Sequence, residues 1–204
     1  MRFKLLVPPI LTVSLIFAAL PAFSQTVAPY QSKGFPIWVG IGPSGFNPDW
    51  GHGRMYGGTI WADWYPRNLP RALQDFGVEI EARDISLNRH PEPGQPPYSG
   101  QANTRQDTAG GGVIYDWSRW HNFHPDIKFI VSQGSVDFIG TPTYSHDTRV
   151  VLAPGGGFQY RIYRPIWARV DYEYQIWTGK LLHNYLTPSG YTVGVAYDFS
   201  HGQP

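Results

Sequence analysis

Arg169-Val170-Asp171-Tyr172-Glu173-Tyr174-Gln175-Ile176 changes polarity at every step. Val170, Tyr172, Tyr174 and Ile176 share one side of an extended chain, while Arg169, Asp171, Glu173 and Gln175 share the other. A helix would scatter these residues around its axis, so the stretch reads as a strand with one apolar and one charged face. The pattern returns at the end of the chain, where Tyr191, Val193, Val195, Tyr197 and Phe199 oppose Thr192, Gly194, Ala196 and Asp198. It recurs where Val78, Ile80 and Ala82 oppose Glu79, Glu81 and Arg83. In all three stretches the second face is small or charged.

Working outward with this template and with turn residues gives eight strands, at about 36–42, 54–65, 76–88, 105–117, 126–138, 148–162, 167–177 and 190–199. An even number suits antiparallel closure into an up-and-down barrel. Connections after the first, third, fifth and seventh strands (43–53, 89–103, 139–147 and 178–189) are rich in Gly, Pro, Ser and Asn. Those after the fourth and sixth, 118–125 and 163–166, are shorter. Pro66 to Asp75 exceeds a tight turn, and Arg71-Ala72-Leu73-Gln74-Asp75 within it has the composition of one helical turn. Gly110 to Gly112 and Gly155 to Gly157 fall inside strands, where missing side chains let a tightly curved sheet bend.

The first residues predict a cleaved secretory signal. Arg2 and Lys4 precede an apolar run from Leu5 to Leu20, and Ala22 and Ser24 supply the small residues of a processing site before Gln25. Cleavage after Ser24 divides the chain into a signal over 1–24, a periplasmic lead-in over 25–35, a barrel over 36–199 and a tail over 200–204. Losing Arg2 and Lys4 lowers the 16 basic residues to 14, against 15 acidic ones. That balance argues against binding nucleic acid or acting as a polybasic membrane-surface protein. With no cysteine, the exported domain must rely on its backbone ladder and its packing.

No stretch after Leu20 is apolar for long enough to span a bilayer as a helix. The chain nevertheless carries 8 Trp, 13 Tyr and 11 Phe. An exported chain rich in aromatics but without helical spans points to a β-type membrane protein, its Trp and Tyr gathered at the water–lipid boundary. The lipid-facing residues are then Val78, Ile80, Val170, Tyr172, Tyr174, Ile176, Tyr191, Val193, Val195, Tyr197 and Phe199. The lumen receives Asp63, Glu79, Glu81, Arg83, Asp116, Lys128, Arg149, Arg161, Arg169, Asp171, Glu173 and Asp198. Eight strands enclose just enough room for side chains, so these charges should pair across a filled interior. Two rivals stay open: a narrow porin-like channel, and a soluble exported barrel holding a small apolar ligand. Inverting the barrel leaves the alternation unchanged.

Seven histidines raise the question of a metal or an active site. His121 and His124, with Asp126 nearby, fall in the connection 118–125 and lack the four convergent ligands of a structural zinc site, so an exposed turn is expected. Ser145, His146 and Asp147 are consecutive, whereas a triad assembles from residues brought together by folding, and an exposed loop suits them better. There is no G-x-S-x-G elbow, and neither Gly triplet is followed by the Lys-Ser or Lys-Thr of a phosphate loop. The expectation is no catalytic residue, no metal and no cofactor.

Several stretches together resemble the bacterial outer-membrane β-barrel domain family, in particular its small eight-stranded opacity-protein and porin-like members. They are Val39-Gly40-Ile41-Gly42 through Phe46-Asn47-Pro48-Asp49-Trp50-Gly51, Gly77-Val78-Glu79-Ile80-Glu81-Ala82-Arg83, Ala153-Pro154-Gly155-Gly156-Gly157-Phe158-Gln159-Tyr160-Arg161, the segment quoted first, and Tyr191 to Phe199. The resemblance implies an integral outer-membrane barrel with a structural or surface-interaction role such as adhesion. Its implied surroundings are outer-membrane lipid, lipopolysaccharide and the outer-membrane assembly machinery, with the chain a monomer. Some small barrels act on lipid A, but the His-x-Ser pair of the deacylases does not occur in this chain. Specificity would lie in the loops, at Asn47, Trp50, Tyr98, Tyr144, His146, His183 and Tyr185.

Overall fold

The computed structural model of the chain describes residues 35–49, 53–66, 69–88, 103–117, 122–139, 145–179 and 186–200. Its strands are β1 (Ile37–Asn47), β2 (Met55–Trp64), β3 (Phe76–Asn88), β4 (Asn103–Asp116), β5 (Phe123–Ile139), β6 (Ser145–Tyr163), β7 (Ile166–Tyr174), β8 (Ile176–Trp177) and β9 (Ser189–Asp198). Leu152 pairs with Ile176 and Val151 with Trp177, in the register already set by Gly155 and Glu173. Hence β7 and β8 are one stave interrupted at Gln175, and the barrel has eight staves.

All pairings are antiparallel, and β9 closes on β1 from Trp38 opposite Asp198 to Asn47 opposite Ser189. Closure leaves no stave with an unpaired edge, which is what a bilayer demands of a sheet. Following paired residues once around, from Gly157 through Asp171, Thr192, Ser44, Gly57, Ile85, Gln106 and Val136, ends on Asp147, ten residues along β6 from the start. Over eight staves that stagger tilts the strands by about 40° and gives a backbone radius of about 8 Å. Such a cylinder holds side chains and little else.

Three connections leave one end of the barrel, the turn end: β2 to β3, β4 to β5 and β6 to β7. The first contains a 3-10 turn, Arg71–Leu73, and the last holds a cis Arg164–Pro165 peptide. At the opposite end, the loop end, β1 leads to β2, β3 to β4, β5 to β6 and β8 to β9, and β5 and β6, 17 and 19 residues long, project farthest. Both Gly triplets lie within strands, on β4 and β6.

Three boundaries differ from the sequence reading. β1 runs on to Asn47, because Ser44 and Phe46 continue its inward face past Pro43. β5 begins at Phe123 and β6 at Ser145, so residues expected in connections belong to strands.

Candidate functional site

The middle of the lumen is filled by three cations and the carboxylates around them. Lys128 of β5 reaches Glu79 at 2.9 Å and Glu81 at 2.8 Å, with Asp171 and Glu173 at 3.7 and 3.6 Å. Arg169 of β7 binds Asp63 at 3.0 Å and Glu79 at 2.6 Å, and its Nε lies 2.6 Å from Asp171. Arg83 of β3 donates to Glu81 at 2.6 Å and grips both oxygens of Glu173 at 2.7 and 3.0 Å. These side chains are all buried. Charge is held there because each group has an oppositely charged partner at hydrogen-bonding range, the condition under which ions leave water without prohibitive cost.

Glycine makes the room. Gly155 and Gly157 of the β6 triplet lie on the inward row facing this ring, and a Cβ on Gly155 would stand 3.4 Å from the Lys128 side chain. Elsewhere an aromatic ring takes the vacated space, since a Cβ on Gly40 would collide with the Trp61 ring.

Toward the loop end the polar chain continues without a gap. Arg83 Nε donates to Thr59 at 2.9 Å, and Ser44 joins Thr59 at 2.5 Å and Thr192 at 2.7 Å. On the opposite side Gln175 donates to Glu173 and accepts from Gln106 and from the Trp177 indole. Above lie two apolar clusters, Val136, Val151, Trp177 and Leu186, and Phe46, Met55 and Ile85. The lumen is thus blocked twice, by salt and then by hydrocarbon.

The turn end is built differently. Trp38 and Trp167 pack with ring centroids 4.6 Å apart, His124 lies 4.7 Å from Trp167, and Tyr65 sits edge-on to Trp38 at 5.9 Å. Asp116 and Asp126 face each other directly across β4 and β5 with both side chains inside. His124 Nδ1 stands 3.2 Å from one Asp116 oxygen. The other Asp116 oxygen, both oxygens of Asp126, both polar atoms of Gln159 and the Tyr65 hydroxyl are buried with no hydrogen-bond partner among the described residues.

Two expectations are corrected here. His124 is not in an exposed turn: it is an inward residue of β5, two positions from Asp126 and in phase with it. Trp38, Trp61, Trp167 and Trp177 lie inside the barrel and not in a boundary girdle, for each falls in phase with the inward residues of its own strand.

The outer wall is apolar. Val78, Ile80, Tyr172, Tyr174, Ile176, Tyr191, Val193, Val195, Tyr197 and Phe199 all point outward and exposed, with Val170 outward and half-covered. Trp64, Phe76, Trp117, Tyr160 and Phe199 ring the turn end, and Tyr56, Tyr174 and Tyr191 lie toward the loop end, either side of an aliphatic band. A charged lumen and an apolar exterior exclude the inverted, soluble arrangement.

Beyond the band, the outer faces of β3 to β6 turn polar. Arg105 grips Asp84 through two nitrogens at 3.1 and 2.8 Å, and Asp107 stands opposite Asp84. Partial burial first, and then the Asp84 charge, push the Asp107 carboxyl above its ordinary value. Asp137 bonds His146 at 2.5 Å on the same face.

Of the other residues singled out in the sequence, Asp198 is buried at the turn end and Arg161 lies over the Trp167 ring at 4.5 Å. Arg149 pairs with Asp147 at 2.8 Å near the loop mouth, half-exposed, and takes no part in the central ring. Asn47 ends β1, exposed. His146 is a strand residue, not a loop residue, and Asp147 points the opposite way. Trp50, Tyr98, Tyr144, His183 and Tyr185 lie outside the described residues, as does His121. Among the described residues no group of three or more His, Asp or Glu side chains is arranged to hold a metal ion.

A closed eight-stave barrel with an apolar wall and a charged interior is an integral membrane protein of the β class. The family model for the outer membrane protein beta-barrel domain matches residues 15–199, and the chain belongs to that family. It resides in the outer membrane. Among solved structures, Neisserial surface protein A is similar with a TM-score of 0.59 and 14% identity, over 80% of this chain and 96% of that one. Ail, the attachment invasion locus protein of Yersinia pestis, is similar with a TM-score of 0.52 and 16% identity, again over 80% and 96%. Ail solved in complex with the heparin analogue sucrose octasulfate gives a TM-score of 0.51 at 16% identity, over the same shares of the two chains. No curated protein sequence matches the chain.

Proposed function

We propose that the protein is a closed, non-catalytic anchor that fixes four loops at the cell surface for envelope structure or adhesion. Export would use residues 1–24 as a signal cleaved after Ser24, and the barrel would act as a monomer among outer-membrane lipid and lipopolysaccharide, inserted by the assembly machinery. One observation carries this reading: the ring of Arg83, Lys128 and Arg169 with its carboxylates occupies the cross-section, and an apolar plug lies above it. A lumen filled in this way leaves no aqueous path for ions, unlike the wide barrels that conduct. Function then passes to the loops, which a rigid stave array presents to the outside. Ail, a protein of the same fold, has been solved with a polysulfated sugar, which makes a surface-exposed ligand site a reasonable role for this architecture.

Planar-bilayer recording of the refolded chain tests the reading. Silence across the applied voltage range is the expected result; resolved conductance steps would replace the anchor with a channel.

A further inference from the structure

The turn end opens to the outside through a pocket of about 260 Å³ whose lining includes Trp38, Tyr65, Asp116 and His124. Two independent features of this pocket point to a ligand. Its walls are aromatic, with the Trp38, Tyr65 and His124 rings gathered against Trp167. At its base Asp116 keeps one oxygen buried without a hydrogen-bond partner, its side chain only 6% exposed. Behind it, across the β4–β5 ladder and outside the pocket lining, stands Asp126, whose oxygens have no hydrogen-bond partner among the described residues and whose charge is attracted by Arg169. A carboxylate that among the described residues bonds only a histidine, and that is walled by ring faces, gives the pocket a negative potential. Aromatic faces add to that potential, because the ring quadrupole attracts cations. The cluster already accepts one cation on its far side, where the Arg161 guanidinium lies 4.5 Å over Trp167.

We propose that this pocket binds a small primary ammonium ion from the periplasmic side, the charged nitrogen donating to Asp116 and its alkyl carbons lying against Trp38 and Tyr65. A primary amine fits better than a quaternary one, because the empty valence at the base is an acceptor and needs an N–H donor. The volume exceeds what a single water fills by several-fold. The site lies at the opposite end of the barrel from the surface loops and does not depend on what they bind. Two sources present the same chemistry: a free alkylamine, or the ethanolamine headgroup of a lipid in the inner leaflet.

The test is saturation-transfer NMR with propylammonium chloride on the full chain folded in a maltoside detergent. Saturable transfer to the propyl protons is expected. Asp116→Asn should weaken apparent affinity about tenfold or more, as loss of a charge-assisted bond does, and tetramethylammonium should bind more weakly than propylammonium. Asp84→Asn, on the outer wall, should leave binding unchanged. If Asp116→Asn fails to give the heat-modifiable folded form, Trp38→Leu, which removes a wall of the pocket, serves in its place with the same expected loss. No saturable transfer to the native chain, or equal affinity in native and pocket variants, overturns the proposal and leaves the pocket to water. Repeating the titration in nanodiscs separates the sources. Weaker apparent propylammonium binding in phosphatidylethanolamine than in phosphatidylcholine, which has the same net charge but no N–H donor, assigns the headgroup, and equal binding assigns a free amine.

Discussion

Glu79 and Asp126 are carboxylates on neighbouring sides of one lumen, each buried, each on the inward row of its strand. Glu79 is held by Lys128 at one oxygen and by Arg169 at the other. Asp126 has no hydrogen-bond partner among the described residues and faces Asp116 across the ladder. The difference separates two things that burial usually confounds. In the middle, charge is saturated by charge and the ring behaves as a structural element. At the turn end the same functional group is packed beside aromatic rings with its hydrogen-bonding capacity unused, so space and potential are left for a foreign group.

The sharpest way to break the comparison is to unpair the ring. Arg169→Met strands Asp63, Glu79 and Asp171 without their shared partner and should cost about 3–5 kcal/mol, read as a lower urea midpoint in micelles or failure to reach the fast-migrating folded form. Next in size is a charge on the aliphatic band. Val193→Arg should cost about 2–4 kcal/mol in a bilayer, and Ser86→Arg on the polar outer face under about 1 kcal/mol, by reversible unfolding from vesicles. A similar cost at both positions would mean that lipid does not meet the wall where its apolar band lies. Smaller again is Gly40→Ala, whose new methyl would collide with Trp61; overpacking of this kind costs about 1–3 kcal/mol, and a compensating Trp61→Leu should recover part of it.

The smallest effect concerns pH. Since Asp107 holds its proton more tightly in the folded barrel than in the unfolded chain, its contribution favours folding at low pH and is lost as pH rises through its raised folded value. Asp107→Asn should flatten that decline, visible as a shallower pH dependence of the unfolding midpoint between the native chain and the variant.

The barrel was legible because alternation is a local property. Val170, Tyr172 and Tyr174 against Arg169, Asp171 and Glu173 announce a strand with no knowledge of its neighbours. The sequence ends β1 early because Pro43, Ser44 and Gly45 have the composition of a turn, although Ser44 is in phase with the inward row and bonds across it to Thr59 and Thr192. Composition misled at His121-Asn122-Phe123-His124-Pro125, whose residues favour turns, while the phase of His124 with Asp126 and Lys128 pointed inward. The same phase test on Trp167 beside Arg169, and on Trp61 beside Asp63, would have moved these rings from the boundary into the lumen. Which charges meet is another matter. Arg83 reaches Glu173 across 90 residues of sequence because an overall stagger of ten residues brings their rows level, and no single strand encodes that register.

The central claim, that paired charge in the middle and unpaired charge at the turn end do different work, is tested most directly by one matched exchange of carboxylate for amide. Urea unfolding of Glu79→Gln and Asp126→Asn in the same detergent compares the two. The account predicts a large loss for Glu79→Gln, of about 3 kcal/mol, and an unchanged or raised midpoint for Asp126→Asn, where a like-charge opposition is relieved. Equal losses at both positions would contradict it.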